Sequence, residues 1–390
     1  MVCCRMVVAG SLGVSVFATL PDVARADIDP NSGIDLVTVG NPGNLSWIGS
    51  GFNSGHGQVN YEYRIGSTEV PLSAWAEFMN AALDRPAGDQ IPHVFAPTQW
   101  SAVGTSPNNP GGHRYSVPAG REMFPVGGVD WRTCAIYCNW LHNGKSSDRS
   151  AFLTGAYDVS TFGYLNGGSL FTDQLTRSPG ARYWIPSLDE WMKAVHWDPN
   201  KSNDDGSTGG YWLYGNGSDT PFVYGPPGVR VGVGSIGNPI PDPNGQLSTS
   251  GATWTSTYFP GLDPFAVPLG SYPNVQSPWG LLDASGGVSE WTELVFQLDD
   301  EPLPRYRVAD GLGWTQGSGS FGGGVDGVGN PGGGRPPNFP TFDTGLRIAA
   351  VVPAPGMGSL GAIASLWALT HRRRRSHEKP PDRSSPRTLW

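Results

Sequence analysis

The chain of 390 residues contains few cysteines and few charged residues, and each shortage excludes a class of protein. Four cysteines are present, but Cys3 and Cys4 stand at the very start, which leaves Cys134 and Cys138 for the rest of the chain. A chain of this length with two cysteines four residues apart is not a disulfide-rich scaffold. Charged residues make up only 15% of the sequence, so a coiled-coil or long-helix protein is excluded as well.

Basic residues are scarcer still once the two ends are set aside. The whole chain carries a net charge of −8, but residues 27–370 hold 16 basic and 30 acidic side chains, a balance of −14. A protein with this balance lacks the basic patch that binds phosphates. We therefore expect no nucleic-acid partner.

Turn-forming and aromatic residues are abundant. The chain contains 56 glycines and 36 prolines, and its 15 Trp, 13 Tyr and 15 Phe are spread through nearly every segment. Hydrophobic residues make up 38% of the sequence, which is enough for a sizeable core. The composition therefore predicts an aromatic-rich core whose elements are joined by many turns, not a disordered chain.

The first 26 residues have the three parts of a secretory signal peptide. A charged start, MVCCR, is followed by the apolar stretch MVVAGSLGVSVFATL and by an Ala-x-Ala site at Ala24–Ala26. An internal apolar strand, which is the alternative, would not explain this order. We expect residues 1–26 to be removed, and the mature chain to begin near Asp27 outside the cytoplasm.

The C-terminal end, residues 353–375, resembles the bacterial PEP-CTERM type of sorting signal. Pro353–Pro355 precedes fifteen uncharged residues, GMGSLGAIASLWALT, and the basic cluster Arg372–Arg375. This stretch is shorter than the roughly 20 residues that cross a bilayer unassisted, but the basic stop suits a membrane-retained tail. The resemblance implies sorting machinery as a partner, membrane contact through this helix, and a basic polar tail at 376–390. The alternative is a C-terminal core helix.

Three segments show helical periodicity, and each is expected to have one core face. In the second segment, DWRTCAIYCNWLHNG, Asp130 is a plausible N-cap and Gly144 can end the helix. In the third, Ser187 and Glu190 stand at capping-box spacing. The three segments are PLSAWAEFMNAAL, DWRTCAIYCNWLHNG and PSLDEWMKAV.

Short extended segments supply the predicted strands: YEYRIGSTEV, ARYWIP and TGLRIAAVV. Long stretches rich in Gly, Pro, Asn and Ser separate the regular elements. The sequence therefore predicts an irregular, loop-rich α+β domain from about residue 60 to 350, with about three helices, few short strands and a leading segment at 27–59.

Four blocks resemble, in order, those of the formylglycine-generating enzyme family, also called the sulfatase-modifying factor family. Glu69, Trp75 and Phe78 fit the first block, YRIGSTEVPLSAWAEFMNA, and Pro186 and Trp191 fit the third block, YWIPSLDEWMKAV. The blocks are YRIGSTEVPLSAWAEFMNA, PVGGVDWRTCAIYCNWL, YWIPSLDEWMKAV and, at 278–292, PWGLLDASGGVSEWT. Any one block could reflect packing, but four in order over residues 60–350 are specific. The resemblance implies a fold related to the C-type lectins.

The family's chemistry depends on cysteines that this chain lacks. The resemblance implies oxidation of a sulfatase cysteine to formylglycine, using oxygen and a Cu(I) ion held by two late thiolates. The corresponding blocks here are Gly311–Trp314 and Gly345–Arg347, and residues 315–344 between them contain no cysteine or histidine. We therefore expect no copper site. Cys134 and Cys138 could share a helix face and a soft ion, but their place in the core stripe favours inert thiols.

The fourth block also implies a calcium site. In the family signature, Gly-Leu-x-Asp-Met-x-Gly-Asn-Val-x-Glu-Trp, the asparagine side chain, backbone carbonyls and the glutamate supply hard oxygen ligands. The corresponding positions here are Gly287, Val288 and Glu290, and Gly287 brings no side-chain oxygen. We expect at most a weak calcium site, and the alternative for Glu290 is a structural hydrogen-bonded carboxylate.

The main hypothesis is an exported, surface-retained protein without catalytic or cofactor-binding residues, which binds a protein, peptide or glycan. The alternatives are an active oxidase that matures sulfatases through an unrecognised site or runs another reaction in the same cleft, and a structural component of the envelope. The step from a lectin-like fold to binding is an analogy. The absence of cysteine from residues 315–344 distinguishes the main hypothesis from the oxidase alternative, because the oxidase needs a thiolate pair there.

Overall fold

The computed structural model describes residues 27–100, 113–220, 229–230, 240–241, 264–311, 327–329 and 333–353. These residues form four α-helices and fifteen strands, most of them short. The predicted irregular, loop-rich α+β fold is confirmed. The fourth helix, which the sequence did not predict, is a single turn at Ser150–Leu153.

The elements follow one another along the chain with long irregular connections. The helices are α1 (Leu72–Leu83), α2 (Trp131–His142), α3 (Ser150–Leu153) and α4 (Leu188–His196). The strands are β1 (Asp27–Ile28), β2 (Asp35–Val39), β3 (Tyr63–Gly66), β4 (Gln99–Trp100), β5 (Val126–Gly127), β6 (Tyr183–Trp184), β7 (Trp197–Ser202), β8 (Thr208–Tyr211), β9 (Val229–Arg230), β10 (Ile240–Pro241), β11 (Ser289–Phe296), β12 (Tyr306–Asp310), β13 (Gly333–Arg335), β14 (Thr344–Gly345) and β15 (Ala349–Ala350).

The two largest sheets bring distant parts of the chain together. The first has the order β1-β2-β3-β15-β6, in which β15 pairs with both β3 and β6. The second has the order β13-β12-β11-β14, with β11 antiparallel to β12 and parallel to β14. Because β14 and β15 are separated by only three residues, Leu346–Ile348, one short segment joins the two sheets.

The strands at the start of the described chain belong to the first sheet. Residues 27–59, predicted as a leading segment, supply β1 and β2, and β2 pairs with β3 over four residues. The described residues up to Val351 belong to one compact unit. These pairings make the leading segment part of the core of that unit.

The three predicted helices form where the periodicity placed them, and their predicted caps are present. Asp130 Oδ1 accepts a hydrogen bond from Thr133 N at 2.7 Å, and Gly144 follows the end of α2 with φ +66°. Ser187 and Glu190 form a complete capping box at α4. Each such cap stabilises a helix by about 1 kcal/mol.

The prediction of a single core face holds for α1 but is wrong for α2 and for α4, in which every residue except Asp189 is buried. Every residue of α2 from Trp131 to Leu141 is buried, including Arg132 and Asn139. A helix buried on all sides must satisfy its polar side chains inside the protein. Asn139 does so by donating to the carbonyl oxygens of Phe152 and Tyr157.

Both predicted processing segments lie outside the described residues. These are the signal peptide at 1–26 and the tail from residue 354 onward, including the basic tail at 376–390. Among the helices that the structure describes, none combines the length and apolar character needed to cross a membrane.

Candidate functional site

The signature block folds into a tight turn that leads into β11. Asp283, Gly286 and Gly287 all have left-handed backbone conformations, with φ of +50°, +84° and +63°. Glycine adopts this region at no steric cost, which favours glycine at 286 and 287. The turn carries Gly287 to Glu69, so that a Cβ atom at 287 would lie 3.0 Å from Glu69 Oε1.

Glu290 is paired with Arg347 in the interior. The guanidinium Nε donates to both carboxylate oxygens at 2.9 and 3.0 Å, and Nη2 donates to Oε1 at 2.7 Å. Trp191 Nε1 donates to Oε2 from α4. Glu290 and Arg347 are 1% and 0% exposed. This geometry matches a structural hydrogen-bonded carboxylate, one of the two roles that the sequence left open for Glu290.

The remaining donors of Arg347 tie the turn to the first sheet. Nη1 donates to the carbonyl of Gly66 at the end of β3, at 2.9 Å. Nη2 donates to the carbonyls of Leu282 and Asp283 at 3.0 and 3.2 Å. Arg347 lies in the segment between β14 and β15, so one buried side chain connects both sheets and the signature turn.

Glu69 lies beside this pair with one oxygen bonded and one not. Its Oε1 accepts from the backbone N–H of Val288 at 3.2 Å. No described residue donates to Oε2, which is buried. Burial, together with the charges of Glu290 and Asp283, raises the pKa of Glu69 well above its usual value despite the opposing effect of Arg347.

Asp283 is the third carboxylate near Arg347. Its Oδ2 accepts from the backbone N–H of Gly270 at 2.6 Å. Burial raises the pKa of Asp283, and the bond from Gly270 and the charge of Arg347 oppose that rise. Glu69 and Asp283 line one small cavity of about 30 Å³ together with Ser285, Gly286 and Gly287.

A second buried arginine, Arg307 on β12, is held in a different way. Nη1 donates to the carbonyls of Leu175 and Glu293 at 2.6 and 2.8 Å, and Nη2 donates to that of Gln174 at 2.6 Å. The guanidinium carbon lies 3.7 Å from the centre of the Trp131 ring. Burial lowers the pKa of Arg307 to about 10.

Comparison with known proteins identifies the family. Residues 52–349 match the family described as the sulfatase-modifying factor enzyme 1-like domain. The chain belongs to this family. The match extends over most of the chain, and the α+β architecture agrees with the loop-rich formylglycine-generating-enzyme and C-type-lectin-like fold.

Several solved structures are similar to this member of the sulfatase-modifying factor family. CarF is 18% identical with a TM-score of 0.42, covering 82% of this chain and 99% of CarF. Treponema denticola variable protein 1 is 17% identical with a TM-score of 0.41, and the match covers 82% of this chain and 96% of that protein. PvdO from Pseudomonas aeruginosa is 14% identical with a TM-score of 0.42, and the match covers 85% of this chain and 100% of PvdO. No curated protein matches the chain.

The cysteines of this family member do not fit a copper site. Cys134 and Cys138 are free thiols buried within α2. Burial raises the pKa of both thiols well above the usual value, whereas a Cu(I) ligand must be a thiolate. Residues 315–344, where the resemblance described above leads us to expect a thiolate pair, contain no cysteine.

The calcium ligands expected from the family signature fit only in part. Gly287 and Val288 lie in the turn as expected, but a cation at Glu290 would have to displace Arg347 and Trp191. In the described ranges, no group of three or more His, Cys, Asp or Glu side chains could hold a metal. Calcium binding at Gly287, Val288 and Glu290 stays a prediction.

Sequence reasoning singled out Glu69 and Arg347 only as markers of sequence blocks. It missed the contacts of both, as well as Asp283 and Arg307. A signal was present for Arg347, because an arginine within the apolar run GLRIAAVV requires a buried partner. No comparable signal marks Asp283, whose position depends on the turn.

Proposed function

We propose that this protein is an exported, surface-retained binding module that does not catalyse formylglycine formation. The supporting observation is the cysteine-free segment 315–344 in a chain whose family uses a thiolate pair there. The buried position of Cys134 and Cys138 supports the same conclusion, because neither thiol is exposed to a peptide substrate.

The exposed side chains favour a protein or peptide over a glycan as the ligand. Leu45, Ile48 and Phe52 lie on the loop between β2 and β3, with exposed fractions of 71%, 89% and 49%. Aliphatic and aromatic side chains that reach solvent on one loop are typical of protein contact sites. Exposed aromatic rings of the kind that bind glycans are also present, among them Tyr61 at 44% on the same loop, so glycan binding is the alternative that the experiment below tests.

The catalytic part of the proposal is tested with the purified protein and a cysteine-containing peptide from a sulfatase. We expect no aldehyde by mass spectrometry, with or without copper and reductant under air. Copper-dependent aldehyde above background would show that the protein is an oxidase. In that case Cys134→Ala and Cys138→Ala would show whether the helix thiols take part.

The binding part is tested on peptide and glycan arrays. We expect the wild-type protein to bind peptides, and Ile48→Asp to bind them at least about tenfold more weakly. Leu298→Asp is the matched control, because Leu298 is exposed at 43% on a different loop. Preferential glycan binding, or equal loss in both variants, would contradict the assignment to the 40–62 loop.

Surface retention is tested by removing residues 353–390. We expect the full chain to fractionate with the envelope and the shortened chain to appear in the medium. Equal distribution of the two would contradict a sorting role for the tail. It would leave the non-catalytic assignment intact, because that assignment rests on residues 315–344.

A further inference from the structure

The 40–62 loop, which carries the proposed binding residues, is closed by two backbone hydrogen bonds. Trp47 N donates to the carbonyl of His56 at 2.7 Å, and Gly55 N donates to the carbonyl of Trp47 at 2.7 Å. These bonds join the two arms of the loop, so residues 48–54 form its tip, and the exposed side chains of Ile48 and Phe52 lie on that tip. The position of the tip therefore depends on how the arm at His56 is held.

The first turn of α4 holds that arm through one carboxylate. Asp189 Oδ1 accepts a hydrogen bond from Gly57 N at 2.7 Å and lies 3.1 Å from His56 Nδ1. Asp189 itself is fixed in place, because it is the second residue of a helix that begins with a complete capping box and is otherwise buried. A single side chain thus connects a rigid helix to the two residues that follow the tip.

The strength of this contact depends on the protonation of His56. The hydrogen bond to Asp189 raises the pKa of His56 above its usual value of 6.5, although burial opposes the rise. The contribution of the ion pair is therefore complete below about pH 6.5 and is lost as pH rises through the raised pKa. Neutral His56 keeps a hydrogen-bonding nitrogen but no charge, so a higher pH weakens the contact and leaves the bond from Gly57 N in place.

Other titratable groups around the loop act at its two ends. Lys193 on α4 donates to the carbonyl of Asn41 at 2.9 Å, and burial lowers the pKa of Lys193 to about 8. Arg177 donates to Tyr61 Oη at 2.8 Å. The charged or titratable side chains on the elements that face the loop are Glu62 on the loop itself, Glu190 and Lys193 on α4, Tyr211 on β8, whose pKa burial raises, and Arg177 with its partner Glu293, whose pKa is raised to about 7. Since some of these groups also titrate near neutral pH, the contribution of His56 has to be isolated by comparing variants at one pH.

We propose that the contact between His56 and Asp189 is a pH-sensitive latch that holds the tip of the 40–62 loop in its binding position. The inference rests on the proposed binding function of this loop and adds its regulation. A tip that is already held loses less conformational freedom when a peptide binds, so the closed latch strengthens binding. The His56 and Asp189 side chains are 33% and 41% exposed, and water screens the pair. The latch should therefore change peptide affinity by only about two- to fivefold.

The test uses the purified full-length chain and a fluorescently labelled array peptide that binds the wild type but not Ile48→Asp. Its affinity is measured at about pH 5.5 and pH 8.5 for the wild type, His56→Gln and Asp189→Asn, values on either side of the histidine titration. The ratio of wild-type to variant affinity should be about two- to fivefold larger at the lower pH for both variants. A ratio at one pH cancels the contributions of Lys193 and Glu293.

His113→Gln is the matched control. His113 Nδ1 lies 3.6 Å from Oδ2 of Asp84, the residue that follows α1, so this variant removes a histidine from a similar pair away from the loop. The affinity ratio for His113→Gln should be the same at both pH values.

An affinity ratio that does not change with pH in His56→Gln or in Asp189→Asn would overturn the latch, and so would an equal change in His113→Gln. Either result would leave the binding function intact, because that function rests on the loss of binding in Ile48→Asp. If no peptide binds the wild type, the binding function fails, and hydrogen exchange at the Trp47 and Gly55 amides decides about the latch. Protection in the wild type relative to His56→Gln should then be larger at the lower pH, and a pH-independent ratio would overturn the proposal.

Discussion

Arg347 and Arg307 are both fully buried, but the structure satisfies them with different groups. Arg347 pairs with the carboxylate of Glu290, and it also lies close to the acidic side chains of Glu69 and Asp283, whose pKa values burial raises. Arg307 donates to three backbone carbonyls and stacks on Trp131. Carbonyls and an aromatic face stabilise a guanidinium without adding charge.

The difference lies in the charge of the groups that packing places around each guanidinium. Around Arg307 the partners are neutral: three backbone carbonyls accept from Nη1 and Nη2, and the Trp131 ring lies against the guanidinium face, while Nε has no hydrogen-bond partner among the described residues. Around Arg347 the carboxylates outnumber the cation, and one oxygen of Glu69 has no described partner. The role of each arginine can be tested by substitutions made in pairs.

The largest effect is expected from removing each guanidinium. Arg347→Met should lower the free energy of unfolding by about 3–5 kcal/mol, because it leaves Glu290 as an unpaired buried charge. Arg307→Met leaves only carbonyl acceptors unpaired, and should cost about 1–3 kcal/mol. Urea denaturation of both variants measures the difference. Equal losses would show that the two arginines do not differ in this way.

The double variant Glu290→Gln with Arg347→Met is the control for this comparison. It removes both charges, so it should be more stable than Arg347→Met alone. A double variant no more stable than the single one would assign the loss to packing rather than to the unpaired charge.

Smaller losses of stability should follow when Trp191, beside Glu290, or Trp131, beside Arg307, is replaced by phenylalanine. Trp191→Phe removes the N–H that bonds the Glu290 carboxylate, at a cost of about 1.5–3 kcal/mol. Trp131→Phe keeps an aromatic face under Arg307 and loses one neutral bond, to the Thr292 carbonyl, at about 0.5–1.5 kcal/mol. Thermal and urea unfolding give both values, and the reverse order would contradict the proposed roles.

A pH dependence should come from Glu293, three residues after Glu290 on β11. Burial raises the pKa of Glu293 to about 7, although Arg177 opposes the rise. Folding favours the protonated form of Glu293. Its contribution to the free energy of unfolding is therefore complete below about pH 4.5 and is lost as pH rises through about 7. The slope cannot exceed about 1.4 kcal/mol per pH unit.

Glu293→Gln isolates that contribution. The difference in unfolding free energy between wild type and variant should change between about pH 4.5 and 7 and be flat above that range. A difference that does not vary with pH would place the titration on another group. Asp130, whose pKa burial raises to about 6, would then be the next candidate.

The smallest effect is expected at an exposed ion pair. Lys145 Nζ lies 2.6 Å from Glu77 Oε2, and the Glu77 side chain is 52% exposed. Water screens such a pair, so Glu77→Gln should change the unfolding free energy by less than about 1 kcal/mol. A loss as large as that of Arg347→Met would mean that burial does not explain why the Glu290–Arg347 pair matters more than an exposed pair.

Local sequence determined the helices and their ends. The apolar spacing of α1, the aspartate that caps α2 and the Ser187–Glu190 box of α4 involve residues within one or two turns of each other. The four family blocks also identified the fold, and the missing cysteines in 315–344 follow from the sequence alone. These features depend on short-range geometry or on residue identity.

Only the tertiary structure decided what each charged residue does. Glu69 and Val288 are separated by 219 positions, and Glu290 and Arg347 by 57, yet each pair is in hydrogen-bond contact. The burial of α2 on all sides likewise depends on neighbours from other segments, which its periodicity does not reveal. A buried charge acts according to the partners that packing places around it, and those partners come from strands and turns that are distant in the chain.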